Sequence, residues 1–204
     1  MEITPVPALM APPPAAQQEK PRIIALDDSN DILTLIMASL QETNDVIALN
    51  NAVDLYEIMD LFEPDLLILD IMMPRVTGYQ LLEMIRKSPG KKDIPIIILS
   101  AKSTAGEIKH GYKLGANMYI TKPFAPDRLA KNVETQFRVH PNSRRKAHTL
   151  EQVALQLQSK PAFNKGNVLV SPSLHHRESV VDARKIMHER LLREQKASDR
   201  NWSN

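Results

Sequence analysis

The residues able to do chemistry in this chain are three aspartates, a serine and a lysine, each standing at the end of a short apolar run. Asp27 and Asp28 follow Arg22 to Leu26, Asp70 follows Leu66 to Leu69, Ser100 follows Ile94 to Leu99, and Lys122-Pro123 follows Met118 to Ile120. If the runs are parallel strands, their carboxyl ends converge on one rim, where open α/β sheets bind ligands. Taken singly, each residue has a plain structural reading as a turn, a helix cap or solvated surface. Independent solvated polar groups need not all fall at the same end of four strands, so their coincidence carries information.

Electrostatics narrows what such a cluster can do. Two carboxylates about 4 Å apart repel by roughly 4 kcal/mol at an effective dielectric near 20, so three cannot sit together ionised without compensation. Protons or a metal must intervene. Oxygen donors without imidazole or thiolate suit a hard cation, Mg²⁺ or Mn²⁺. Asp70, held at the floor by its apolar strand, could then act as a nucleophile toward a phosphoryl group. Lys122 would supply a point positive charge and Ser100 a hydroxyl donor, the stabilisation that phosphoryl transfer needs.

The elements that would position these residues alternate along the chain. Strand candidates are Arg22 to Leu26, Val46 to Leu49, Leu66 to Leu69, Ile94 to Leu99 and Met118 to Ile120; the third and fourth are apolar without interruption, as strands covered on both faces are. Helical stripes separate them: Ile32, Leu33, Ile36 and Leu40; Leu55, Ile58, Met59 and Phe62; Leu81, Leu82 and Ile85; Ile108, Tyr112 and Leu114; Leu129, Val133 and Phe137. Thr77 to Gln80 and Thr104 to Glu107 both have capping-box spacing. Five β-α units over about residues 21 to 140 predict a doubly wound α/β domain with a parallel sheet.

The flanks differ in character. Six of the 15 prolines fall in the first 21 residues, so residues 1–20 read as a disordered, partly polyproline-II arm able at most to dock as a peptide. Residues 1–140 carry 14 basic and 18 acidic groups, whereas 141–204 carry 12 and 6, which makes the tail basic and without an evident core of its own. Within it, residues 178–195 predict an amphipathic helix with Val180, Ala183, Met187 and Leu191 on one face. The 204 residues include no cysteine, which excludes disulfides, thiolate metal sites and a cysteine nucleophile. No apolar run approaches the roughly 20 residues needed to cross a bilayer, and the N-terminus lacks a signal-peptide pattern, so a cytoplasmic protein with no membrane contact is expected.

The chain resembles the response-regulator receiver domain of bacterial two-component systems over about residues 21 to 138. The matching pieces are Ile-Ile-Ala-Leu-Asp27-Asp28-Ser, Leu-Leu-Ile-Leu-Asp70-Ile-Met-Met-Pro74 with Gly78 beyond it, Ile-Ile-Leu-Ser100-Ala101, and Tyr119-Ile-Thr-Lys122-Pro123-Phe124. The resemblance implies a flavodoxin-like five-stranded parallel sheet of order 2-1-3-4-5 with flanking helices. It implies that Asp70 is the phosphoacceptor, that Mg²⁺ is held by Asp27, Asp28, Asp70 and the backbone carbonyl of Met72, and that Lys122 pairs with the phosphoryl group across a cis bond to Pro123. Ser100, the Ala101 backbone and Tyr119 would complete the phosphorylation site and its switch. The implied partners are a histidine kinase or phosphotransfer protein and a downstream protein target, with no small-molecule substrate.

Two features depart from common patterns. Asn117-Met118 stand where many winged-helix regulators carry paired acidic residues, and Ala125 is a weak helix cap ahead of Pro126. Among rivals, a haloacid-dehalogenase-type phosphatase places its nucleophile after the first strand with an acid-base aspartate two residues later; here the acidic pair comes first and Met72 occupies that later position. A flavodoxin-like cofactor binder would present Gly, Ser and Thr rather than Asp27-Asp28 to a phosphate. The alternative function is a DNA-binding transcriptional regulator using the basic tail around Arg144-Arg145-Lys146, although no helix-turn-helix pattern is evident and nucleic acid is not the expected partner. His148, His175, His176 and His188 show no metal-ligand spacing.

Overall fold

The computed structural model describes residues 20–141, 148, 152–153, 155–156 and 168–170. Among the described residues these elements follow one another: β1 (Arg22–Leu26), α1 (Asn30–Leu40), β2 (Asp45–Leu49), α2 (Leu55–Phe62), β3 (Leu66–Asp70), α3 (Gly78–Lys87), β4 (Ile96–Ser100), α4 (Ala105–Lys113), β5 (Met118–Thr121), α5 (Pro126–Val139) and β6 (Val168–Val170). Strands β1 to β5 pair in parallel in the order 2-1-3-4-5, and β6 adds an antiparallel edge strand on β2. The sheet therefore has six strands rather than five. Three residues are too few to show a period-two pattern, so nothing in the tail's composition announced β6.

Alternate strand residues serve opposite layers, as the pleat requires. Ile24, Leu26, Leu67, Leu69, Ile96 and Ile98 pack with Leu55, Ile58, Phe62, Leu81 and Ile85 of α2 and α3. Ile23, Ala25, Leu66, Ile68, Ile97 and Leu99 pack with Leu33, Ile36, Leu40, Leu129 and Val133 of α1 and α5. Each fully buried Leu or Ile contributes about 1.5–3 kcal/mol. Two such layers make β1, β3 and β4 an inflexible floor.

Four of the five helical stripes face the core as their spacing predicts. In α4 only Gly111 is buried, and Tyr112 is 49% exposed. A Cβ on Gly111 would stand 2.9 Å from Ile98 Cδ1 and 3.0 Å from the Tyr119 ring, so α4 meets the sheet through its backbone. Pro95 lacks an N–H, and β4 begins at Ile96 rather than at Ile94.

The caps show a similar mixture. Thr77 and Gln80 form the full capping box, whereas Thr104 accepts from the Glu107 N–H (3.3 Å) while the Glu107 carboxylate is engaged elsewhere. Ala125 makes no side-chain cap and Pro126 opens α5.

The tail is not wholly separate from the domain. Val153, in helical conformation, is fully buried in the layer of α2 and α3, and the Arg22 guanidinium donates to the His148 carbonyl and to Phe62 O (2.9 Å). The expected arm over residues 1–19, the basic run at 144–146, and the helix at 178–195 lie outside the described residues.

Candidate functional site

Each chemistry-bearing residue is delivered by a strand end. β1 runs into Asp27, whose N–H donates to Leu49 O (3.1 Å) and whose Oδ1 accepts the Ser29 N–H (3.1 Å). Ser29 in turn caps α1 through the Ile32 N–H (3.4 Å), so the turn holding Asp27 is fixed at both ends. Asp70 is the last residue of β3 and stands opposite Leu99 of β4; Ser100 is one step beyond, paired with Thr121 of β5. The Lys122 N–H donates to Ser100 O (2.8 Å), tying the lysine to β4 at the same rim.

Asp27, Asp28 and Asp70 come together as the spacing predicts, each offering a carboxylate oxygen within 4.8 Å of the others. Asp27 and Asp70 are buried at 1% and 2% exposure, and Asp28 faces solvent. Lys122 Nζ lies 2.5 Å from Asp27 Oδ2 and 3.1 Å from Asp70 Oδ1, and the Lys122-Pro123 bond is cis. One ammonium against three carboxylates leaves the ionised cluster with two negative charges uncompensated. Burial, opposed by Lys122 and reinforced by the Asp70 charge, raises the Asp27 carboxyl from 3.8 to about 6.

That all-oxygen donor set, with two buried members and one open to water, fits a hexacoordinate hard cation that keeps part of its hydration shell. The loop after β3 is shaped for this arrangement. Gly78 N–H donates to Ile71 O (3.1 Å), and a Cβ at Gly78 would stand 2.0 Å from Asp70 O, so only glycine lets α3 start this close to the aspartate. Met72, in the same loop, has a 55% exposed side chain.

Ser100 is fully buried and Tyr119 partly so, and both bind the same residue. Ser100 Oγ accepts the Lys102 N–H (3.2 Å), and Tyr119 OH donates to Lys102 O (2.8 Å). Ala101 between them is exposed. Lys102 was missed by sequence reasoning because it acts here through its backbone, which residue type does not encode. Its side chain joins a second cluster: Nζ is 2.8 Å from Glu107 Oε1, and Tyr79 OH donates to Glu107 Oε2 (2.7 Å). The Lys102 hydrogen bond, then that of Tyr79, lowers the Glu107 carboxyl, while burial followed by Glu107 raises the Tyr79 phenol.

A family model described as the response regulator receiver domain matches residues 23–134. The chain belongs to the response regulator receiver family. Among receiver relatives, it is 37% identical to the regulatory protein VanR of Enterococcus faecium over 118 residues, covering 57% of this chain and 50% of VanR. It is 31% identical over 137 residues to the nisin biosynthesis regulatory protein NisR of Lactococcus lactis, covering 67% of this chain and 58% of NisR. The receiver domain of a Francisella response regulator superposes with a TM-score of 0.55 at 28% identity, covering 59% of this chain and 98% of that structure. The chain spans about half the length of the curated relatives it matches.

Aspartate phosphorylation and dependence on Mg²⁺ are general to receiver domains, which are mostly signalling modules rather than enzymes. In this receiver, Asn117, one of the two positions where winged-helix regulators often carry acidic residues, is an internal tie. Its Oδ1 accepts from Ile96 N–H (2.9 Å) and from Arg86 (2.9 Å). Among the described residues, no helix is long and apolar enough to cross a membrane.

Proposed function

We propose that this chain is a two-component response regulator phosphorylated on Asp70, with residues 21–140 as the receiver unit between the arm at 1–20 and the tail at 141–204. The observation that carries the reading is the gathering of Asp27, Asp28 and Asp70 oxygens within 4.8 Å, with Lys122 bridging Asp27 and Asp70. Asp27, Asp28, Asp70 and the Met72 carbonyl would hold Mg²⁺, which when bound neutralises oxygens of the incoming phosphoryl group.

The donor is a phosphohistidine on a kinase or phosphotransfer protein. Asp70 Oδ forms the new O–P bond as the N–P bond breaks, and its electron pair returns to the imidazole, which takes up a proton. Lys122 leaves its carboxylate partners in part to pair with the phosphoryl oxygens. Met72 offers no general base two residues past Asp70, so hydrolysis is slow and the modified state persists as a signal.

The readout runs through Ser100, the Ala101 backbone and Tyr119. A phosphoryl group adds up to about two negative charges at Asp70. Ser100 Oγ turns to donate to it and so gives up the Lys102 N–H. The Lys102 peptide groups lose one of their two hydrogen bonds to Ser100 and Tyr119, and Tyr119 follows inward, changing a surface read by a downstream protein in the cytoplasm. The two arrangements differ in their contacts with the phosphoryl group, the condition for a population shift.

Mass spectrometry after incubation with acetyl phosphate and Mg²⁺ tests this. One phosphate is expected on the wild-type chain and none on Asp70→Asn. An unmodified wild-type chain, or equal modification of the variant, overturns the assignment.

A further inference from the structure

A groove of about 900 Å³ lies between the carboxyl end of α1 and the length of α5, on the face of the sheet covered by those helices. Leu40, Ala130, Val133 and Phe137 form its apolar lining, and Thr43 and Asn44 stand at its rim. Nothing in the phosphorylation chemistry uses it.

The direction of β6 says what reaches this groove. Val168 stands opposite Leu49 and Val170 opposite Ile47, antiparallel to β2. The chain beyond Val170 is therefore delivered toward Asp45 and the α1–β2 turn, which is the rim at Thr43 and Asn44. Only residues 171–177 separate that point from the predicted helix at 178–195, and seven residues span up to about 25 Å. Eighteen helical residues would measure about 27 Å, against about 21 Å for the 14 of α5.

A helix of that length is marginal alone in water and needs a packing partner for its apolar face. The tail has no evident core of its own, and the groove offers apolar surface at Ala130 and Phe137 between the charged side chains of Lys131, Glu134 and Arg138. We propose that residues 178–195 bind as a helix in the α1–α5 groove of the same chain, with Val180, Ala183, Met187 and Leu191 toward Ala130 and Phe137, over the buried Leu40 and Val133. The tail then acts as a clasp: β6 pins it to the sheet edge and the helix covers the α1–α5 side of the domain. Covalent attachment sets a local concentration in the millimolar range, which lets a modest apolar contact persist.

The absence of native cysteine makes the contact directly measurable in the full-length chain. Lys131 is exposed on the groove wall and Lys87 is exposed on α3, on the other side of the sheet. Under mild oxidation at low protein concentration, Lys131→Cys with Met187→Cys should form a monomeric disulfide at least about tenfold faster than Lys87→Cys with Met187→Cys. Equal rates, no bond, or disulfide-linked dimers in place of monomers would overturn the proposal, the last pointing to a second copy in the groove. Hydrogen exchange gives an independent reading: Val180→Glu with Leu191→Glu should speed exchange at the end of α1 and along α5. Exchange unchanged by those substitutions counts against the clasp.

Discussion

Replacing Asp27 with asparagine should stabilise the metal-free protein at neutral pH while destroying its ability to bind Mg²⁺. Burial holds the Asp27 carboxyl at about 6 in the folded chain against 3.8 when unfolded, even with Lys122 2.5 Å away. The folded state thus keeps a proton that the unfolded state gives up. Stability tied to this group is fully present below pH 4, falls as pH rises from about 4 to 6, and is lost above that. At about 1.4 kcal/mol per pH unit, the loss amounts to about 3 kcal/mol, with the Lys122 attraction already included. The amide of the Asp27→Asn variant stays neutral at every pH and would not incur it. Urea unfolding in EDTA should show wild type and Asp27→Asn nearly equal near pH 4 and about 1.5 M apart at pH 7.5, for a slope of about 2 kcal/mol/M. Saturating Mg²⁺, which favours the ionised carboxylate, should raise only the wild-type midpoint appreciably, and less so below pH 6. A difference between the two proteins that stays flat from pH 4 to 7.5, or that favours wild type in EDTA, refutes the reasoning.

Two further substitutions probe the supports of the site and the anchoring of the tail. Gly78→Ala would drive a Cβ to 2.0 Å from Asp70 O, and since that oxygen belongs to the backbone rather than to a flexible side chain, α3 or the β3 end must shift. A loss of at least about 3 kcal/mol in thermal or urea unfolding is expected, with slower acetyl-phosphate labelling in whatever remains folded. Val153→Ala removes two buried methyl groups from the layer of α2 and α3 and should cost about 1–2 kcal/mol in unfolding of the full chain. A cost near zero would mean that the tail does not pack there in solution.

What was legible in the sequence is what short-range periodicity and strand-end position control. The five parallel strands fall within a residue or two of their apolar runs, because a strand buried on both faces admits polar residues only at its ends. For the same reason Asp27, Asp70 and Ser100 were readable as strand-end residues, and their convergence follows from parallel pairing. The α4 stripe misled because its contact with the sheet is made by Gly111, whose lack of a side chain is the point; Tyr112 turns outward instead. The capping box at Thr104 was half right, since Glu107 finds a stronger, charge-assisted partner in Lys102 than the cap N–H would be. β6 pairs across more than a hundred residues of sequence, and Val153 packs in a layer whose helices lie well over fifty residues away, which no local pattern encodes.

The two Lys102 hydrogen bonds are where the proposed switch would have to act. A rigid sheet end cannot transmit a charge change by deforming, since close-packed layers are bistable rather than compliant. The movable part must be a segment whose main-chain ties are few and belong to groups that the charge can recruit. Residues 101–104 satisfy that condition: Ser100 Oγ and Tyr119 OH grip opposite ends of the Lys102 peptide groups, at 3.2 and 2.8 Å. The Ser100 tie is the longer, weaker one and is the one nearest Asp70 along the rim. If the phosphoryl group recruits Ser100 as proposed, about 1 kcal/mol of neutral hydrogen bond would be exchanged for a charge-assisted one worth roughly twice that. That difference favours the released loop by about a factor of five, enough to bias the segment while leaving the sheet floor under Asp70 undisturbed.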